Sequence, residues 1–140
     1  MRGSVQQPEI VIASADYDRL FDLAEGALRE TPNVAAFLMK ELERATIAHR
    51  PPTEPVVRMG SHVYYRDGES EAVRRIKLVY PDEADSQHGQ ISILTPVGAA
   101  VIGLTAGQTI EWLDQRGSSR TLTVLAIEDE PGNPISSLAG

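Results

Sequence analysis

A chain of 140 residues with 41% apolar, 24% charged and 5% aromatic positions suffices for one globular domain or two small ones, and excludes a large multidomain enzyme. Thirteen Lys and Arg against twenty Asp and Glu give a net charge of -7, the wrong sign for a protein held by nucleic-acid phosphates, so no direct nucleic-acid partner is expected. The lack of Cys excludes disulfides, thiol nucleophiles, iron–sulfur clusters and thiolate zinc sites, and no apolar run approaches the roughly 20 residues that span a membrane. Met1 to Gln7 carries no signal-peptide stretch, so a cytoplasmic protein is expected.

A short strand-like segment, Glu9 to Ala13, precedes Ser14, which can cap a helix running to about Arg29. Tyr17, Leu20, Ala24 and Ala27 recur at spacings of three, four and three and share one helical face. Thr31 can cap, and Pro32 can open, a second helix reaching about His49, in which Ala35, Leu38, Leu42 and Ala45 repeat that spacing. Two such helices predict a short antiparallel hairpin with facing apolar seams. Phe21, Leu28, Phe37, Met39 and Ile47 lie off the seams and are expected to dock the hairpin onto a second domain. Three prolines in Pro51 to Pro55 forbid a continuing helix and mark a boundary. The expected domains are a hairpin over 8–50, a sheet domain over 51–131 and a disordered tail over 132–140.

Downstream the apolar period becomes two: Val63 and Tyr65, then Ile76, Leu78 and Tyr80, then Ile91 and Ile93, then Ile110 and Trp112, then Leu122, Val124 and Ala126. This alternation predicts an antiparallel sheet with one buried face, making the fold α+β. Asp67-Gly68-Glu69 and Gln115-Arg116-Gly117-Ser118 suit hairpin turns. Thr95-Pro96 repeats the cap-then-proline start, for a two-turn helix over Val97 to Ile102 ended by Gly103.

Chemistry is sparse. His49, His62 and His88 are isolated, no His-x-x-x-His or Glu-x-x-His pair occurs, and no phosphate-cradling glycine loop follows a strand, so no catalytic residue, metal or cofactor is expected. One acidic concentration stands out, Asp82-Glu83-Ala84-Asp85. It lacks the regularly spaced oxygens of a calcium loop and suits a solvated loop or a protein contact.

Val57-Arg58-Met59-Gly60-Ser61-His62-Val63, then Asp82-Glu83-Ala84-Asp85, then Gly89 to Leu104 (GQISILTPVGAAVIGL), then Ala106-Gly107-Gln108 form an ordered set. In that set the chain resembles the C-terminal domain of the bacterial Gre transcript-cleavage factors. The likeness extends through Pro8-Glu9-Ile10-Val11-Ile12, Glu41-Leu42-Glu43-Arg44-Ala45 and Leu78-Val79-Tyr80-Pro81 to the Rnk family, regulators of nucleoside diphosphate kinase, over roughly Pro8 to Pro131.

The resemblance implies an FKBP-like sheet domain carrying a short coiled coil, and RNA polymerase as partner near the mouth of its secondary channel. Gre factors lend two acidic side chains at the tip of a long coiled coil to the polymerase magnesium. Here arms of about 16 residues would reach about 24 Å, and the tip, Glu30, Thr31, Pro32 and Asn33, lacks an acidic pair. A polymerase-bound competitor of Gre factors without cleavage activity, monomeric and not an enzyme, is therefore expected. Its docking surface, by analogy, includes Asp82, Glu83, Asp85, Ser92, Thr95 and Pro96. Direct binding of nucleoside diphosphate kinase is the main alternative. Two rivals rank lower: a cleavage factor acting through Glu25 or Glu30, and a peptidyl-prolyl isomerase, whose aromatic pocket the sheet domain would have to build from Tyr64, Tyr65, Tyr80 and Trp112.

Overall fold

The computed structural model describes residues 7–50, 52–68, 71–113, 116 and 118–128. Its first elements are strand β1 (Val11–Ala13), helices α1 (Ser14–Gly26) and α2 (Pro32–Arg44), and strand β2 (Thr46–Ala48). Both helices are shorter than the apolar periodicity predicts. Leu28 to Thr31 turn the chain, with Thr31 N–H and its hydroxyl both donating to Ala27 O (2.9 and 3.3 Å), so Thr31 closes α1 and makes no side-chain cap on α2. Ser14 is likewise the first residue of α1, after the extended Ala13, and makes no side-chain cap bond. The middle of each seam forms as expected: Leu20, Ala24, Ala35, Leu38 and Leu42 are buried and the two helices pack on each other, while Tyr17, Ala27 and Ala45 at the seam ends are half-buried.

His49 does not end a helix. α2 stops at Arg44, and Thr46–Ala48 pair in parallel with Val11–Ala13, with Thr46 N–H donating to Ile10 O (2.9 Å). Buried Glu41 is ion-paired with Arg44, whose guanidinium also donates to Pro8 O. The start of the described chain is thereby fastened to the end of α2. Of the off-seam apolar residues, Phe21, Phe37 and Met39 pack against the common core, whereas Leu28 and Ile47 stay exposed at 38% and 39%.

The second part contains β3 (His62–Asp67), β4 (Val73–Val79), 3-10 turns at Pro81–Glu83 and Ser86–His88, β5 (Gln90–Ser92), helix α3 (Pro96–Val101), β6 (Thr109–Leu113) and β7 (Ser119–Glu128). Five strands form one sheet in the order β5-β4-β3-β7-β6. The sheet is mixed and not wholly antiparallel, because β5 returns from the acidic loop to pair in parallel with β4 (Leu78 beside Ile91). Val63, Tyr65, Ile76, Leu78, Ile110, Leu122 and Val124 cover one face, against Ile93, α3 and Leu104.

Ala126 departs from the expected alternation. The β3–β7 register runs Tyr64 to Ala126 and Tyr65 to Val124, which leaves Leu125 as an extra, bulged residue. The bulge reverses the phase, so Leu125 and Ala126 face solvent and Ile127 packs on the core. Glu69 of the first expected turn, Gln115 and Gly117 of the second, and the tail fall outside the described residues.

Gly103 joins the two parts. It donates to Val57 O (2.9 Å) and accepts from Val11 N–H (3.1 Å) with φ at +80°, and an added Cβ would lie 2.9 Å from Ile10 Cβ and 3.1 Å from Val11 O. Left-handed backbone and close approach together call for glycine. Ile10, Ile12, Leu20 and Leu42 accordingly belong to the same buried cluster as the sheet residues.

Candidate partner-binding surface

Asp82 and Glu83 occupy a 3-10 turn that Pro81 opens directly after β4, with Glu83 N–H donating to Tyr80 O (2.9 Å). Both carboxylates are exposed. Asp85 is half-buried and closes the loop: its N–H donates to Gln90 O and Gln90 N–H donates back to Asp85 O, each at 2.9 Å. Gly89, with φ at +75°, lets the chain turn inside that closure. His88 Nδ1 lies 2.6 Å from the Asp85 carboxylate, but with side-chain exposures of 74% and 43% the pair adds little stability. Its effect is to fix where one carboxylate of the acidic patch points.

Both 3-10 turns rest on β5, and α3 begins four residues beyond it, which brings the loop acids and the start of α3 onto one strut. Ser92 and Thr95 are engaged there structurally. Thr95 Oγ1 donates to Ser92 O (2.8 Å) and accepts from Gly98 N–H (3.1 Å), while Ser92 Oγ accepts from Leu94 N–H (3.0 Å). Thr95 is thus the helix cap its sequence predicts, with Pro96 in the first turn. A Cβ on Gly98 would sit 2.3 Å from Ser92 O, so α3 can lie this close to β5 because residue 98 has no side chain. Ser92, Thr95 and Pro96 are half-buried and retain surface beside the acids.

Glu30, Thr31, Pro32 and Asn33 are all exposed at the hairpin turn. The hairpin meets the loop region through its base: the Arg19 guanidinium carbon stands 3.6 Å over the Tyr80 ring, and Asp16 lies 3.9 Å from Arg58. From Arg19 to the end of α1 is a further two turns, about 10 Å, so tip and acidic loop are separate surfaces. Neither contact is visible in the sequence, because each links residues some 40 to 60 positions apart. Burial, reinforced by Asp16 and opposed by Arg19, pushes the Tyr80 phenol above its usual value. Among the described residues no three His, Asp or Glu side chains converge as a metal-holding group, and no helix is long and apolar enough to cross a membrane.

The chain matches the family described as "Transcription elongation factor, GreA/GreB, C-term" over residues 52–129 and that described as "Rnk N-terminus" over residues 8–47. It is 35% identical over 129 residues to the regulator of nucleoside diphosphate kinase of Escherichia coli K12, covering 91% of this chain and 94% of that protein. Transcription elongation factor GreA of Thermodesulfovibrio yellowstonii is 33% identical over 116 residues, 76% of this chain and 73% of that one. Among solved structures, the transcription elongation factor GreA/GreB from Nitrosomonas europaea superposes with a TM-score of 0.64 at 36% identity, covering 87% of this chain and 99% of that one.

Proposed function

This chain belongs to the GreA/GreB family, with an Rnk-type N-terminus, and on that premise we propose that it is an RNA polymerase-binding transcription regulator. It docks near the secondary channel and competes there with Gre factors without cleaving the transcript. The sheet domain, taken as FKBP-like, supplies the docking surface through Asp82, Glu83, Asp85 and the start of α3, and the hairpin, taken as a short coiled coil, occupies the channel mouth. The protein acts as a cytoplasmic monomer.

The observation that carries this proposal is the arm. Two helices of 13 residues each reach about 20 Å, and the turn 27–31 between them holds one carboxylate, Glu30. A Gre factor delivers a pair of acids at the end of a much longer coiled coil. An arm that is short and carries a single carboxylate at its turn can exclude a competitor but cannot supply two ligands to a magnesium ion.

Competition for core polymerase tests it. The protein should displace a labelled Gre factor, Asp85→Arg should weaken displacement several-fold by reversing a charge on the patch, and backtracked complexes given the protein and magnesium should yield no short 3′ RNA. Fragments that depend on Glu30 would refute the proposal, as would unaltered competition by Asp85→Arg. A second proposal, direct binding of nucleoside diphosphate kinase, draws support from the name of the Escherichia coli relative. Pull-down of the kinase with no retention of polymerase would favour it.

A further inference from the structure

The sheet carries a largely polar recess of about 260 Å³ lined by His62, Arg75, Lys77, His88, Gly89 and Gln90, with Ile76 as its one apolar side chain. We propose that this recess binds a phosphate oxyanion, inorganic phosphate or the diphosphate group of a larger molecule. The inference does not rest on the function proposed above, although Asp85 of the docking surface meets the recess through His88.

The register assembles it. His62 on β3 stands beside Lys77 on β4, Lys77 stands beside Gln90 on β5, and Arg75, two residues before Lys77, shares its face. Three or four cation-capable side chains therefore crowd one side of the sheet in a chain whose net charge is -7. His62 is 92% buried (8% exposed), and its Nδ1 is buried without a hydrogen-bond partner among the described residues. Buried polar atoms are almost always satisfied, and an oxyanion seated against His62 gives its Nδ1 a partner once the ring turns toward the recess.

Arg75 is placed to turn toward the same ligand. Its guanidinium lies 5.5 Å from the Tyr64 ring and 3.7 Å from Glu128, and both ends of that ion pair are about half exposed. A phosphate offers the planar guanidinium a stronger, bidentate partner. Among the described residues, Glu128 pairs with Arg75 and Asp85 with His88 at the edge of the recess, and a phosphate would compete with these carboxylates for the same cations. The volume lies just below the range of pockets for drug-sized ligands, and the lining is polar except for Ile76, which suits a phosphate or diphosphate group.

Titration of the full-length protein with inorganic phosphate and, separately, pyrophosphate at constant ionic strength tests this by two-dimensional amide and imidazole nitrogen NMR. Saturable shifts should centre on His62, Lys77, Gly89 and Gln90 with a pyrophosphate Kd below about 1 mM, and the His62 Nδ1 resonance should move with them. Combined Arg75→Gln and Lys77→Gln, both outside the core, should weaken binding at least tenfold with the thermal midpoint retained. Three results would each overturn the proposal: non-saturable shifts with both anions up to about 20 mM, shifts centred elsewhere, or unchanged affinity in the double variant.

Discussion

Replacing Gly103 by alanine should destabilise the protein by about 2–5 kcal/mol, in two separable parts. An L-residue held at φ +80° costs about 1–2 kcal/mol. The new methyl also meets Ile10 Cβ at 2.9 Å and Val11 O and N at 3.1 and 3.3 Å, and pushing a packed strand aside costs about 1–3 kcal/mol more. Gly107→Ala isolates the first part, since its φ is +93° with nothing within 4 Å of the added Cβ. Gly26→Ala, in α1 with no neighbour within 4 Å, should be neutral or slightly stabilising. Guanidinium unfolding with a shared m-value would give the three differences, and each kcal/mol corresponds to about 3–5 °C of Tm for a chain of this size. Equal destabilisation by Gly103→Ala and Gly107→Ala would show that Ile10 and Val11 do not press on Gly103, and would refute close approach as a reason for glycine there.

Thr95→Ala should cost about 1 kcal/mol, the usual loss when a helix cap is removed, because it deletes the bonds to Gly98 N–H and Ser92 O; a thermal scan that shows no shift would contradict the capping role. Arg19→Ala should raise the Tyr80 pKa further, since Arg19 lowers it against burial and Asp16, and ultraviolet titration of the phenols in the variant and in Tyr80→Phe reads that change. Stability should be flat in the phenols below about pH 10 and fall as pH rises beyond it. Tyr65 and Tyr80 have folded pKa values raised above the unfolded value, so between the two values the folded state holds protons that the unfolded state has released. Midpoints at pH 9 and pH 11 measure that slope, and Tyr65→Phe with Tyr80→Phe should reduce it.

Residues whose role depends on local pattern were legible in the sequence. Val63, Tyr65, Ile76 and Leu78 reveal their buried face by alternation, and Thr95-Pro96 marks the start of α3 by its own chemistry. The features that escaped depend on distant partners. Thr46, Ile47 and Ala48 extend the apolar pattern of α2 but become a strand because Ile10 to Ala13 offers them a backbone to pair with. The Leu125 bulge leaves composition unchanged and shifts only the phase, so alternation alone puts Ala126 inside and only the β3 register turns it out. Parallel pairing of β4 with β5 is set by the route of the acidic loop, not by any residue in either strand. At the candidate surface the acids were identifiable as a cluster, whereas the closure of the loop by Asp85 and Gln90 and the burial of His62 required the assembled sheet.

Pairing of β1 with β2 gives the hairpin the character of a cantilever. Its two roots are laced to each other, bolted across by Arg44 to Pro8 O, and anchored to the sheet through Val11 and Gly103. A load applied at the free end cannot be absorbed by spreading the two rods at their roots, and passes into the sheet instead. Wherever the sheet is seated on a partner, the direction in which the arm projects is thereby already decided.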